Sequence, residues 1–302
     1  MQPNPLLKKL GYANDDRVVI VHVDDIGMCQ ACVDAYDDLL DFGLITSAAL
    51  MTPCPWYRQA ISVLNRHPSA DIGVHLTLTS EWDTYRWGPI STRDPQSGMI
   101  DAEGYFYRDV ASVQANADPA AVQAELTSQV ERVLSSGIHP THADTHMGAV
   151  ASIKFLPAYL QVATAYGLPP MLFRLDEAGW MANGLDPETA QMAARLVEQL
   201  EGDGLPLLDY LHMMPLDQPR DRIDQVKRAM QALPAGITHF IIHAAKDTPE
   251  LRAIAPDWPS RVADYQTFMS EEMRAYCRDN GIQLMGYRPI REQMVAAKTS
   301  AN

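Results

Sequence analysis

The stretch Val18-Val19-Ile20-Val21-His22-Val23-Asp24-Asp25-Ile26-Gly27 starts with a β-branched run that no charge interrupts before Asp24. That is the pattern of a strand buried on both faces. Ile26-Gly27 breaks it. Residues 30–42 then carry apolar side chains at helical spacing (Ala31, Ala35, Leu39), and Gly43 is a helix stop. A strand that feeds directly into a helix is the building unit of a parallel α/β sheet.

The unit recurs along the chain. Strands are predicted over 46–51, 71–78, 139–143, 171–175, 205–212, 237–243 and 282–285. Helices are predicted over 56–65, 120–135, 153–166, 187–200, 223–233 and 262–280, with Asp118 capping the second and Pro119 in its first turn. About eight alternations predict one TIM-like (β/α) barrel spanning 1–302, with irregular or seven-stranded forms admitted. Residues 80–118 hold no sustained period and are rich in Gly, Asp, Tyr and Trp, so a long loop insertion is expected after the third strand. The polar tail 296–302 is expected to fray.

Composition narrows the function classes. The 302 residues hold 24 Lys+Arg against 38 Asp+Glu, a net charge of −14, which argues against nucleic acid and anionic membranes as partners. Hydrophobic residues at 47% and charged residues at 21% are those of an ordinary globular chain. Four cysteines do not make a disulfide scaffold, and a reducing, cytoplasmic setting is expected. Residues 1–16 contain Lys8 and Lys9 but no apolar core, so no signal peptide is expected. No apolar run approaches the roughly 18 residues of a membrane span.

The chemistry-bearing side chains fall at predicted strand ends: Asp24 and Asp25, His75, His142-Ala143-Asp144-Thr145-His146, Arg174, His212 and His243. In parallel α/β folds those ends converge on one face. Adjacent acids at the end of a buried strand need a positive neighbour, either a divalent metal or a turn that exposes them. His75 alone reads equally as a core histidine. Two histidines and an acid within 142–146 suit a metal ligand oriented by a carboxylate. Asp25, His75 and His146 would supply one carboxylate and two imidazoles, a recurrent metal set. Cys29-Gln30-Ala31-Cys32 is a C-x-x-C pair without a second one, so it reads as structural, with redox chemistry as the rival. Trp82, Tyr85, Trp87, Tyr105, Phe106 and Tyr107 either stack on sugar or pack the insertion's own small core.

These motifs resemble those of the YdjC/ChbG-type carbohydrate deacetylases, relatives of the polysaccharide deacetylases. The likeness spans 19–27, the segment 43–47, Gly73-Val74-His75-Leu76-Thr77-Leu78-Thr79, His139-Pro140-Thr141-His142-Ala143-Asp144-Thr145-His146 and the closing 281–288. It implies a TIM-like barrel with one divalent metal (Mg or Zn, with Mn or Co compatible) held by Asp25, His75 and His146. It implies Asp24 as general base, Arg174 as the arginine that steadies it, and His243 as general acid. His142, Asp144, His22, Trp82, Trp87 and His212 are expected behind the ligands or against substrate. Departures are His22 where the family often has Asn, Met147-Gly148 after His146, and Ala244-Ala245 where Pro-Gly is usual. They bear on the substrate more than on the chemistry. The expected activity is hydrolysis of an N-acetyl group on an amino sugar or small glycan, with a homodimer admitted. Another amidase or esterase, a silent sugar-binding protein and a redox protein are the rivals.

Overall fold

The computed structural model describes residues 2–300. Its axis is β1 (Arg17–Ile26), buried at every position after Arg17. β1 pairs in parallel with β2 (Ser47–Leu50), through His22 opposite Ser47. It also pairs with β6 (Gly236–Ile242), from Arg17 opposite Gly236 to Val23 opposite Ile242. β3 (Ile72–Leu76) and β4 (Ala143–Thr145) extend the sheet on one side, β5 (Tyr210–Met213) on the other. The order is β4-β3-β2-β1-β6-β5, with β7 (Gln283–Leu284) joined to the lower half of β1. Helices wrap this curled parallel sheet, so the architecture is the expected TIM-like barrel in a seven-stranded, irregular form.

The irregularity has a local cause. Residues 171–175, expected as a strand, make only isolated bridges through Pro170–Ala143 and Phe173–Leu208. Pro169, Pro170 and Pro206 lack the N–H groups a regular ladder needs there. Pro140 likewise delays the fourth strand from 139 to Ala143. The expected helix 262–280 is two, Trp258–Phe268 and Glu271–Asp279, because Ser270 caps the second by accepting from Met273 N–H. The tail continues the last helix to Ser300 rather than fraying from 296, on the good helix formers Ala296 and Ala297; residues 301 and 302 lie outside the described part.

Period two divides the core. Val19, Val21, Val23, Phe240 and Ile242 face the helices in the larger apolar cluster. Val18, Ile20, Ile237, Leu208, Met171, Met285 and Tyr287 plug the barrel's base. Above that plug the inward positions turn polar, with His22 and His239 as ring neighbours and His142 stacked on Tyr287 at 3.8 Å. Gly73 makes room for that stack, since a Cβ there would lie 2.4 Å from the His142 ring.

Gly73→Ala is therefore expected to overpack the barrel and cost about 1–3 kcal/mol in urea or thermal unfolding. Unchanged stability would show that the His142 ring can move aside.

Candidate active site

Successive residues of a strand point to opposite faces, so Asp24 and Asp25 should part company. They do not, because Asp25 takes a left-handed conformation (φ 65°) ahead of Gly27 (φ 94°), and the β1–β2 register shifts between Val23 and Ile26. Asp is among the few residues that tolerate this region. The turn swings the second carboxylate into the same pocket as the first.

Asp25 meets His75 from β3 and His146, just after β4. Asp25 Oδ1 lies 3.2 Å from His146 Nδ1 and 3.5 Å from His75 Nε2, and the two ring nitrogens are 3.3 Å apart. All three residues are buried. Their outer sides are tied down. His75 Nδ1 donates to Asp144 Oδ1 (2.9 Å), and His146 Nε2 donates to Glu81 Oε2 (3.0 Å). Asp25 Oδ2 accepts from Arg261 Nη1 (2.7 Å), and Arg261 Nε donates to Asp257 (2.9 Å). An ionised carboxylate only accepts, so a neutral His75 keeps its lone pair on Nε2 and a neutral His146 on Nδ1. Those are the two atoms that face Asp25 Oδ1, which has no hydrogen-bond partner among the described residues. One oxygen and two nitrogens with oriented lone pairs fit a divalent metal ion.

The electrostatics follow from burial against close charge. Burial opposes ionisation of Asp25, yet Arg261 and the two imidazoles hold its carboxyl well below the usual range. Burial also disfavours a charged His146, but Glu81 and Asp25 outweigh it and lift the ring to about 9. His75 is raised well above its ordinary value, burial again losing to Asp144 and Asp24. A ligating imidazole must be neutral, so an ion entering here displaces protons.

Asp24 stands beside this set. Its Oδ2 is 3.7 Å from His243 Nε2 and 3.9 Å from His75 Nε2. Burial lowers the pKa of His243, so its ring rests neutral at pH 7. Its backbone N–H is held by Asp264 Oδ2 at 3.0 Å. His22 and Asp144 lie deeper in the barrel, with His142 below them. Trp82 and Trp87 are buried, their rings 5.7 Å apart and edge-on. Trp87 Nε1 donates to Thr79 O (2.8 Å), and the Trp82 ring sits under the Arg261 guanidinium at 5.5 Å. Trp82 thus lies against Arg261, and Trp87 lies 6.2 Å from the His146 ring.

Two expected site residues lie elsewhere. Arg174 pairs with Glu201 and with Asp209 (3.2 Å), and Asp209 accepts from Ile237 N–H at the start of β6, the opposite end of the strand from His243. It does not touch Asp24. His212 stacks on Phe240 (4.8 Å) on the helix-facing side of the sheet, because it lies opposite Phe240 in register. Three contributors were not foreseen: Arg261, Glu81 and His239. His239 was within reach, since it sits four residues before His243 on the same strand face. Arg261 and Glu81 carry no local signal, one in a helix and one in a loop.

The family described as YdjC-like protein matches residues 18–279. A carbohydrate deacetylase of Thermus thermophilus is 32% identical over 289 residues, 96% of this chain and 99% of that relative. A carbohydrate deacetylase of Thermoanaerobacter pseudethanolicus is 23% identical, covering 90% of this chain and 98% of its own. A solved Enterococcus faecalis protein, proposed for cellobiose-phosphate cleavage, shares the fold with TM-score 0.74 at 20% identity, over 91% of this chain and 99% of that one.

Arg261→Met strands a buried carboxylate and is expected to cost about 3–5 kcal/mol in urea unfolding under chelator. Adding Asp25→Asn should recover part of that loss, and strict additivity would show the pair to be uncoupled. Loading metal at pH 7–8 should release protons from His75 and His146, read with an indicator dye. Proton-free loading would contradict the charged resting rings.

Proposed function

This chain belongs to the YdjC-like family, and from that premise we propose that it is a metal-dependent hydrolase that removes an N-acetyl group from an amino sugar or small glycan. The observation that carries this reading is the Asp25–His75–His146 set standing next to an acid–imidazole pair, Asp24 and His243. The carbohydrate deacetylase relatives support it over nearly the full chain. The whole of 1–302 is taken as one catalytic barrel.

Asp25, His75 and His146 would hold the ion. A divalent ion bound there supplies Lewis acidity toward the amide carbonyl and acidifies water. Two nitrogens and one oxygen suit zinc or another first-row ion better than magnesium, which prefers oxygen donors. Asp24 Oδ2, on the pocket side, removes the proton from water as its oxygen attacks the carbonyl carbon. The C–O bond forms and the C–N bond breaks, giving acetate and a free amine. His243 Nε2 delivers a proton to the departing nitrogen, which is otherwise a poor leaving group. Asp24 Oδ2 and His243 Nε2 stand 3.7 Å apart, so the proton taken at one has a short path to the other. Arg261 fixes Asp25 and Asp144 fixes His75, so these two act by orientation alone.

The substrate is a neutral or amine-bearing sugar, in keeping with the −14 charge. No helix among the described residues is long and apolar enough to cross a membrane. Four free cysteines favour a reducing, cytoplasmic setting.

Asp24→Asn and His243→Ala are each expected to lower acetate release from N-acetylated sugars by about 10²–10⁴-fold while the ion at Asp25, His75 and His146 stays bound. Asp25→Ala should lose the metal along with the activity. Full activity in both the Asp24 and His243 variants would sink the mechanism, and activity confined to acetyl esters would reassign the substrate class.

A further inference from the structure

Beneath the three-residue set, the barrel interior holds a second group of donors that the hydrolytic reading leaves partly unused. His22, Asp24, Asp144 and His239 each offer one atom, and these atoms lie within 4.8 Å of one another. They arrive from three strands, β1, β4 and β6, and all four residues are buried. His22 Nε2 is 3.1 Å from Asp24 Oδ1 and 2.9 Å from Asp144 Oδ2. Both are ion-pair contacts while His22 holds a proton, and neither has the directed geometry of a hydrogen bond. His22 Nε2, Asp24 Oδ1, Asp144 Oδ2 and His239 Nε2 all lack a hydrogen-bond partner among the described residues.

Buried polar atoms normally pair with one another when they come this close. Close approach without directed hydrogen bonds is what ligands of a common ion show once the ion takes the place of the His22 proton. In a tetrahedral shell with metal–nitrogen distances of about 2.0–2.1 Å, neighbouring ligand atoms sit roughly 3.3 Å apart and each aims at the centre. The far sides of two of these residues, His239 and Asp144, are anchored as ligands usually are. His239 Nδ1 meets Tyr287 Oη at 2.9 Å, which turns Nε2 inward. Asp144 Oδ1 accepts from His75 Nδ1, which leaves Oδ2 for the interior.

We propose that His22, Asp24, Asp144 and His239 form a second cation site, closed to solvent and selective for a first-row divalent ion, with zinc as the test ion. Two imidazole nitrogens and two carboxylate oxygens make a four-coordinate set of the structural type. An ion there keeps Asp24 ionised from the Oδ1 side while Oδ2 faces the catalytic pocket. That is the service expected of an arginine, and Arg174 is too far along the sheet to give it. The site shares Asp24 with the hydrolytic reading, yet the two can fail separately.

The test is zinc stoichiometry on chelator-stripped, reloaded protein, with anomalous diffraction at the zinc edge to place the ions. Two equivalents are expected, one peak at Asp25–His75–His146 and one among the inner four. His239→Leu should leave one equivalent and the outer peak, and Asp25→Ala one equivalent and the inner peak. One equivalent at the outer set in the unmodified protein, with an ordinary water among the inner four, would falsify the second site and leave the proposed hydrolase standing. No zinc at either set overturns both. If His239→Leu does not fold, the stoichiometry and the anomalous map of the unmodified chain decide alone.

Discussion

Three carboxylates share the inside of this barrel, and every nearby feature answers the cost of keeping them there. Asp24, Asp25 and Asp144 are almost without solvent contact. An ionised carboxylate in such a place is unstable without compensating charge. Arg261 supplies one positive group, and His22, His75 and His146 supply others by holding protons above their ordinary range. On the metal-dependent reading, a bound metal exchanges for those protons. The same excess of buried negative charge that would unfold a bare barrel therefore becomes the affinity of the site for cations.

The barrel's inward faces set how that charge is layered. Apolar residues close the base, where Val18, Ile20, Ile237 and Met285 pack around Tyr287. Histidines follow, then carboxylates, then the ligand set at the strand ends. Backbone geometry completes the layering at a single residue. Without the left-handed turn at Asp25, the two adjacent acids would point to opposite faces, and the outer one would lie among the helices.

Much of this was readable from local patterns. The run 18–27, the H-x-D-x-H spacing of 142–146 and the alternation of strand and helix mark the barrel and the candidate residues His22, Asp24, Asp25, His142, Asp144 and His146, because a buried strand and a strand-end ligand both leave a short-range trace. The failures share one physical origin. Arg174 and His212 sit near strands as expected, but the end of the sheet and the face of the strand depend on register, which here pairs His212 with Phe240. In the aromatic insertion, Trp82 and Trp87 pack edge-on and Trp82 lies against Arg261.

Sequence alone determined the parallel β/α alternation, the acids and histidines at its strand ends and the acidic surface, since each follows from residue type and spacing within a few positions. Tertiary structure alone decided which cation neutralises which acid. Arg261 reaches Asp25 across 236 positions of chain, and Glu81 reaches His146 across 65. Pairings at that separation are set by how the sheet curls and which helix covers it. No local period records that, because Coulomb attraction acts through space and is indifferent to order along the chain.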